Sequence, residues 1–197
     1  MAVSKRLFFI ALGTVSVAFH IGLIFSGLIP NLVARPIHVA LALPWVFVFP
    51  AKTFKGALGG CFFAGLGTLS CIYIILNETA LSDQYGYLEG GLQLVVAGTL
   101  LVVVLEMARR AVGWPLPAVA LLALTYGFFG EYLPGEFGYP GLPIRSFLGT
   151  LTIAEGGIWG SLTGISANIV AIFVIMGAVL NAGEAGQGFM NLATAAA

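Results

Sequence analysis

Six stretches of this chain run for 16 residues or more without an aspartate, glutamate, lysine or arginine: 7–34, 36–51, 56–77, 90–105, 111–130 and 156–183. A helix that crosses a bilayer needs about 20 mostly apolar residues, so the spacing of these runs constrains the fold more than any motif does. We expect spans at about 7–28, 33–51, 57–76, 90–110, 115–133 and 159–182. Composition points the same way, with 8% of the 197 residues charged and a mean hydropathy of +1.04. A soluble domain of this length carries about 49 charged side chains; this chain has eight basic and eight acidic. That excludes a soluble enzyme, a disordered protein and a nucleic-acid binder. The expected fold is an all-α integral membrane protein with about six transmembrane helices plus one interfacial amphipathic helix.

The second run is the weakest. Its core, 37–49, has 13 residues between Pro36 and Pro50 and contains Pro44. As helix that is about 20 Å, so it spans only if Arg35 and Lys52 snorkel outward, and otherwise re-enters on one side. Spanning makes the charges sort. With a cytoplasmic N-terminus, Lys5, Arg6, Lys52, Lys55, Arg109 and Arg110 lie inside, and only Arg35 and Arg145 lie outside, as the positive-inside rule demands. Lys5-Arg6 followed by an apolar run resembles a signal peptide, but 7–28 exceeds a signal core of 7–15 residues and no small-x-small cleavage site follows. It reads as a retained first helix. Cys61 and Cys71 are ten residues apart in one run, about 15 Å along a helix, too far for a disulfide.

Residues 144–155 alternate Arg145, Ser146, Thr150, Thr152 and Glu155 with Phe147, Leu148, Leu151 and Ile153, a pattern expected to lie at the outer interface. Small residues four apart mark helix contact faces in lipid. Gly56, Gly60, Ala64 and Thr68 form one stripe; Gly156, Gly160, Gly164 and Asn168 form another. The second stripe also carries Ser161, Thr163 and Ser166, so it reads either as packing or as a broken helix near a transport path. Ionisable groups at membrane depth are the remaining candidates. Glu106 precedes Arg109 and Arg110 at helical contact spacing, favouring a cytoplasmic-end ion pair over a proton carrier. Glu155 is a helix-start anion or a gate. His20 reads as a hydrogen-bonded packing residue, and His38, beside Arg35, as interfacial.

Trp45, Trp114, Trp159, Tyr126, Tyr132 and Tyr139 mostly fall near expected span ends, as aromatic belts do. There is no CxxC pair, HExxH, phosphate loop or dinucleotide fingerprint. Gly164-Ile165-Ser166 is part of a serine-nucleophile pattern, but no histidine is spaced to serve Ser166. No catalytic, cofactor or metal residue is expected, and the chain is not read as an enzyme. A channel is disfavoured because no filter motif or ring-forming charge stands out.

From Tyr87 onward the sequence resembles a known family. Tyr87-Leu88-Glu89-Gly90-Gly91 is followed by Leu105-Glu106-Met107-Ala108-Arg109-Arg110-Ala111-Val112-Gly113-Trp114-Pro115-Leu116-Pro117. Tyr126-Gly127-Phe128-Phe129-Gly130-Glu131-Tyr132-Leu133-Pro134-Gly135 continues the match. So do Glu155-Gly156-Gly157-Ile158-Trp159-Gly160, Gly164-Ile165-Ser166-Ala167-Asn168 and Gly177-Ala178-Val179-Leu180 leading to Gly183 and Gly186. In this order they resemble the fused permeases of tripartite ATP-independent periplasmic (TRAP) transporters, of the type that works with TAXI-class binding proteins.

The resemblance implies a secondary active symporter of the bacterial inner (plasma) membrane. Such a system imports organic acids on a sodium gradient and takes substrate from a periplasmic substrate-binding protein. Its four-helix small-subunit part precedes a large part that moves as an elevator against a scaffold. On this chain the expected division is 1–112 as the small-subunit-like domain, 113–138 as a connecting helix and outer loop, and 139–197 as the start of the large permease domain. The resemblance implies a permease several-fold longer, with its ion-binding hairpins beyond Ala197 in the remainder of the large domain; separately, the stretch 189–197 stops mid-helix and reads as the end of a fragment. No cofactor is expected apart from sodium as coupling ion. Glu106, Arg109, Arg110, Glu155, Ser166 and Asn168 are the polar candidates, structural or functional. The outer loops 77–91 and 131–145 are the expected docking face. The alternative is a stand-alone, non-transporting membrane assembly or scaffold protein.

Overall fold

A computed structural model describes residues 2–27, 29–183 and 185–196. Leu28, at the end of the first expected span, and Glu184 and Ala197, which bound the final stretch, lie outside the described residues. Every regular element among those described is helical. The chain forms an all-α protein with apolar helices, and its contacts divide it into two compact units: a smaller one of Met1–Ile29 with Leu162–Ala197, and a larger one of Pro30–Ser161.

In the larger unit the elements are α2 (Asn31–Phe47), α3 (Phe54–Leu76), α4 (Glu78–Asp83), α5 (Gly90–Val112), α6 (Pro115–Phe129) and α7 (Ile144–Thr152). The sequence punctuates them by ordinary capping chemistry. Thr53 accepts the Gly56 N–H at 3.1 Å to start α3, and Asn77 donates to the Tyr73 carbonyl at 2.9 Å to end it. Gly113, at φ +86°, stops α5, and Pro115 opens α6, where a missing N–H costs nothing.

The core lies where α2, α3 and α5 meet. Buried positions recur at helical spacing on each: Leu32, Pro36, Val39, Leu43 and Phe47; Gly60, Ala64, Gly67, Cys71 and Ile74; Gln93, Val96, Ala97, Leu100 and Val103. The outward faces are apolar as well, with Leu58, Phe62 and Leu69 each more than 60% exposed. A helix oily on all sides is at home only in lipid or in a larger core.

The smaller unit holds α1 (Ala2–Ser26), which packs on the last long helix, and α10 (Ala185–Ala196). That long helix is built from α8 (Ser161–Ile165), a π-helical turn (Ser166–Val170) and α9 (Ala171–Ala182). His20 is buried in α1, with Nδ1 2.6 Å from the Ser16 carbonyl and its ring edge-on to Phe19.

Four stretches are long and apolar enough to cross a membrane: Lys5–Ser26, Phe54–Leu76, Gly90–Val112 and one within Ile144–Ala182. Six helical segments occupy the six expected places, but two fall short. α2 has 17 residues and α6 has 15, about 25 and 22 Å of rise against a hydrocarbon core of about 30 Å.

Three expectations need correction. The stripe through Gly156 and Gly160 is not a helix face. Both residues are extended and Gly157 sits at φ +46°, so a tight turn separates α7 from α8 and only Gly164 and Asn168 are helical. On α3 the packed stripe runs through Gly60, Ala64 and Gly67, while Gly56 serves only the cap. Trp159 is no belt residue. It is fully buried, whereas Trp114 is 63% exposed.

Candidate functional site

The polar candidates fall into three groups, each inside one unit. The first closes the C-terminal end of α5. Because α5 is regular there, Glu106, Arg109 and Arg110 share a face. Arg109 grips the carboxylate with two hydrogen bonds, Nε to Oε2 at 2.6 Å and Nη2 to Oε1 at 2.7 Å. Arg110 Nε donates to Oε1 at 2.7 Å. The two cations also suit the negative end of the helix dipole. Arg110 then reaches across to α2 and α3: its guanidinium lies 4.8 Å from the Phe47 ring centroid and 5.7 Å from that of Phe63, and Nη1 is 3.5 Å from the Phe47 carbonyl. Arg109 stands 5.6 Å over the ring of Trp114. The ion pair expected from spacing is therefore present, and it ties three helices together at one end.

Replacing Glu106 with glutamine leaves two adjacent guanidiniums without a counter-charge. The side chains are 16–37% exposed, so the loss falls between that of a surface pair and a buried one, about 1–3 kcal/mol. Thermal unfolding in detergent should show it, with a smaller gap from wild type at 1 M salt than at low salt.

The second group sits at the other end of α2. Glu155 occupies the turn after α7, six residues ahead of α8, and accepts the Asn31 side-chain amide at 3.0 Å. It ties a turn to the start of α2; it does not begin a helix. Arg35, one turn along α2, donates to the Trp159 carbonyl, and the Trp159 indole donates to the Thr152 carbonyl at 2.7 Å. Arg145, in the first turn of α7, reaches the segment that leads into α5, Nη1 lying 3.0 Å from the Leu88 carbonyl and 3.3 Å from that of Gly90. Asn31 was not singled out from sequence, and Arg35 and Trp159 were read there only as a snorkelling flank and a belt residue, not as partners of one another. The available signal was the flanking of Trp159 by Gly157 and Gly160, which marks a turn and not a helix end.

The third group is the π-helical turn. Ser166 is half-buried and Asn168 exposed, and the Ala171 N–H reaches back five residues to the Ser166 carbonyl. Such a turn widens the helix and loosens the regular ladder, and it recurs at functional sites. The structure places Ser166 and Asn168 in the smaller unit and Glu106, Arg109, Arg110 and Glu155 in the larger.

Nothing among the described residues assembles reactive chemistry. No group of three histidine, cysteine or acidic side chains could hold a metal. Two open grooves along α5 are apolar: one is lined by Phe63, Leu66, Leu94 and Val102, the other by Leu101, Leu105, Ala120, Leu124 and Phe147. Neither is lined by a charged side chain. What the polar groups do is fasten helix ends.

A family model decides the class. The tripartite ATP-independent periplasmic transporter, DctM component, matches residues 99–197, half of the chain. The chain belongs to this family. Comparison with curated proteins and with solved structures gave no match. TRAP membership makes the chain part of a transport permease, a multi-pass membrane protein of a class that works with a periplasmic binding protein, and the family is not an enzyme class. The matched region begins inside α5, takes in the Glu106–Arg110 lock, and runs through the broken turn, the π-helical turn and α9.

Proposed function

We propose that this chain is the N-terminal part of a fused TRAP permease of the TAXI-associated type, a sodium-driven importer of organic acids in the bacterial inner membrane. One observation carries the fusion. The DctM match starts at residue 99, and α1, α2, α3 and the first part of α5 precede it in the same polypeptide. On this reading 1–112 is the small-subunit-like scaffold, with the family match already entering its last part at residue 99, 113–138 is the connection and 139–197 the start of the large part. The N-terminus and the Lys52, Lys55, Arg109 and Arg110 end are cytoplasmic, as charge sorting argues. No residue of this chain is assigned to hold sodium or substrate; those sites belong to the remainder of the large domain.

The binding protein docks on the loops 77–91 and 131–145. Arg145 bridges them, and they present Tyr85, Tyr132 and Phe137 at 92%, 75% and 75% exposure, the aromatic anchors that protein interfaces favour.

The test is uptake into proteoliposomes made with the full-length gene product. Accumulation should require both the binding protein and an inward sodium gradient. At limiting binding protein, replacing Tyr85, Tyr132 and Phe137 together with serine should lower the rate about tenfold or more. Uptake that is indifferent to the binding protein removes the assignment, and an unchanged rate in the triple variant removes the docking face alone.

A further inference from the structure

The lock end of the larger unit carries more positive charge than its fold consumes. Four cations gather where α2 hands over to α3 and α5 ends: Lys52 and Lys55 around the α3 start, and Arg109 and Arg110 on α5. Arg110 touches Phe47, the last residue of α2, and Phe63 of α3, which fixes the α5 end against the α2–α3 turn. One carboxylate, Glu106, serves both arginines. No ion pair among the described residues reaches either lysine, and both are exposed. Lys55 also stands in the first turn of α3, the end of a helix where an anion is favoured and a cation is not.

Large apolar side chains surround these cations in the open: Phe49 at 54%, Phe54 at 78%, Val112 at 62% and Trp114 at 63% exposure. A soluble anion would meet the charge and leave the rings in water. A lipid headgroup meets both, since aromatic rings settle at headgroup depth while basic side chains reach the phosphates.

We propose that this end of the larger unit is a binding site for an anionic phospholipid, whose phosphate lies between Lys52 and Lys55 and the outer edges of Arg109 and Arg110. Glu106 keeps the two guanidiniums splayed on one face; Phe54 and Trp114 lie alongside the acyl-chain root. The headgroup completes the charge balance of the lock and pins the α2–α3 turn to the α5 end. This reading does not depend on transport, substrate or the fusion.

The experiment titrates the delipidated full chain, in zwitterionic detergent, with phosphatidylglycerol, with phosphatidylcholine and with inorganic phosphate. Native mass spectrometry and the unfolding midpoint are the readouts. Phosphatidylglycerol should remain as a discrete adduct and raise the midpoint, and phosphatidylcholine should do neither. The K52Q/K55Q double variant should keep the lipid-free midpoint but lose about tenfold or more in phosphatidylglycerol affinity, while Lys5→Gln should lose none. Equal retention of the two lipids, or an unchanged affinity in K52Q/K55Q, overturns the proposal. So does millimolar phosphate that displaces the lipid and raises the midpoint by itself, since the site would then take the free anion.

Discussion

Replacing Trp159 with alanine is expected to lower stability by about 3–5 kcal/mol, the range for removing a large aromatic side chain from a packed core. The side chain is fully buried and belongs to the same apolar cluster as Leu43, Phe47, Ile74 and Leu100. It also does polar duty at both ends. Thr152 is the last residue of α7, where helix carbonyls have no partner of their own, and the Trp159 indole caps that carbonyl at 2.7 Å. The Trp159 carbonyl in turn accepts from Arg35 of α2. Trp159→Phe keeps most of the buried area and drops only the indole N–H, so its cost should be nearer about 1 kcal/mol. The protein supplies its own reporter: Cys71 is fully buried in this core, while Cys61 is exposed. In a Cys61→Ser background, the denaturant midpoint of Cys71 labelling should fall sharply for Trp159→Ala and modestly for Trp159→Phe. Equal midpoints for the two variants would mean that the cavity costs nothing, since both lack the cap; midpoints equal to wild type would dismiss the cap as well.

Trp159 also shows where sequence reading works and where it stops. Helix positions were legible because charge-free runs are long and set by the bilayer, which is why α1, α3 and α5 lie within a few residues of the expected spans. The Glu106–Arg109–Arg110 pair was legible because it depends only on spacing within one helix. Resemblance from Tyr87 onward pointed to the TRAP family, and the match over 99–197 shows that family.

Contacts between distant segments were not legible. Asn31 with Glu155 and Arg35 with Trp159 each join residues 124 apart, and no local pattern encodes such a pairing. The Gly156/Gly160 stripe failed for a related reason. Four-residue spacing is a helical signal only if the backbone is helical, and the glycines that suggest the stripe are also the residues best able to break it. The length of α2 was misjudged at its end, where the proline at 50 and a turn after Phe47 stop the helix short of the expected 51.

The second large effect is expected at Gly60, and a series of alanine substitutions along α3 isolates its cause. α3 meets the backbone of α2 there: a Cβ on Gly60 would overlap the carbonyl group of Phe47, which cannot rotate away. At Gly67 a Cβ would press on the side chains of Leu43 and Val103, which have rotamers to yield. At Gly59 it meets nothing within 4 Å. All three are glycines inside one helix, so each substitution gains the same helix propensity, about 0.5–1 kcal/mol. Only the clash differs. Gly59→Ala should therefore be neutral to slightly stabilising. Gly67→Ala should lose about 1–3 kcal/mol, as overpacking does. Gly60→Ala should lose the most, because relief requires α2 and α3 to separate and carries Phe47 away from Arg110 and Phe63. Besides Cys71 labelling, the yield of monodisperse protein on size exclusion in detergent should follow the same order. If Gly60→Ala matches Gly59→Ala in both measurements, α2 and α3 do not cross at this position and the three-helix core is wrongly registered.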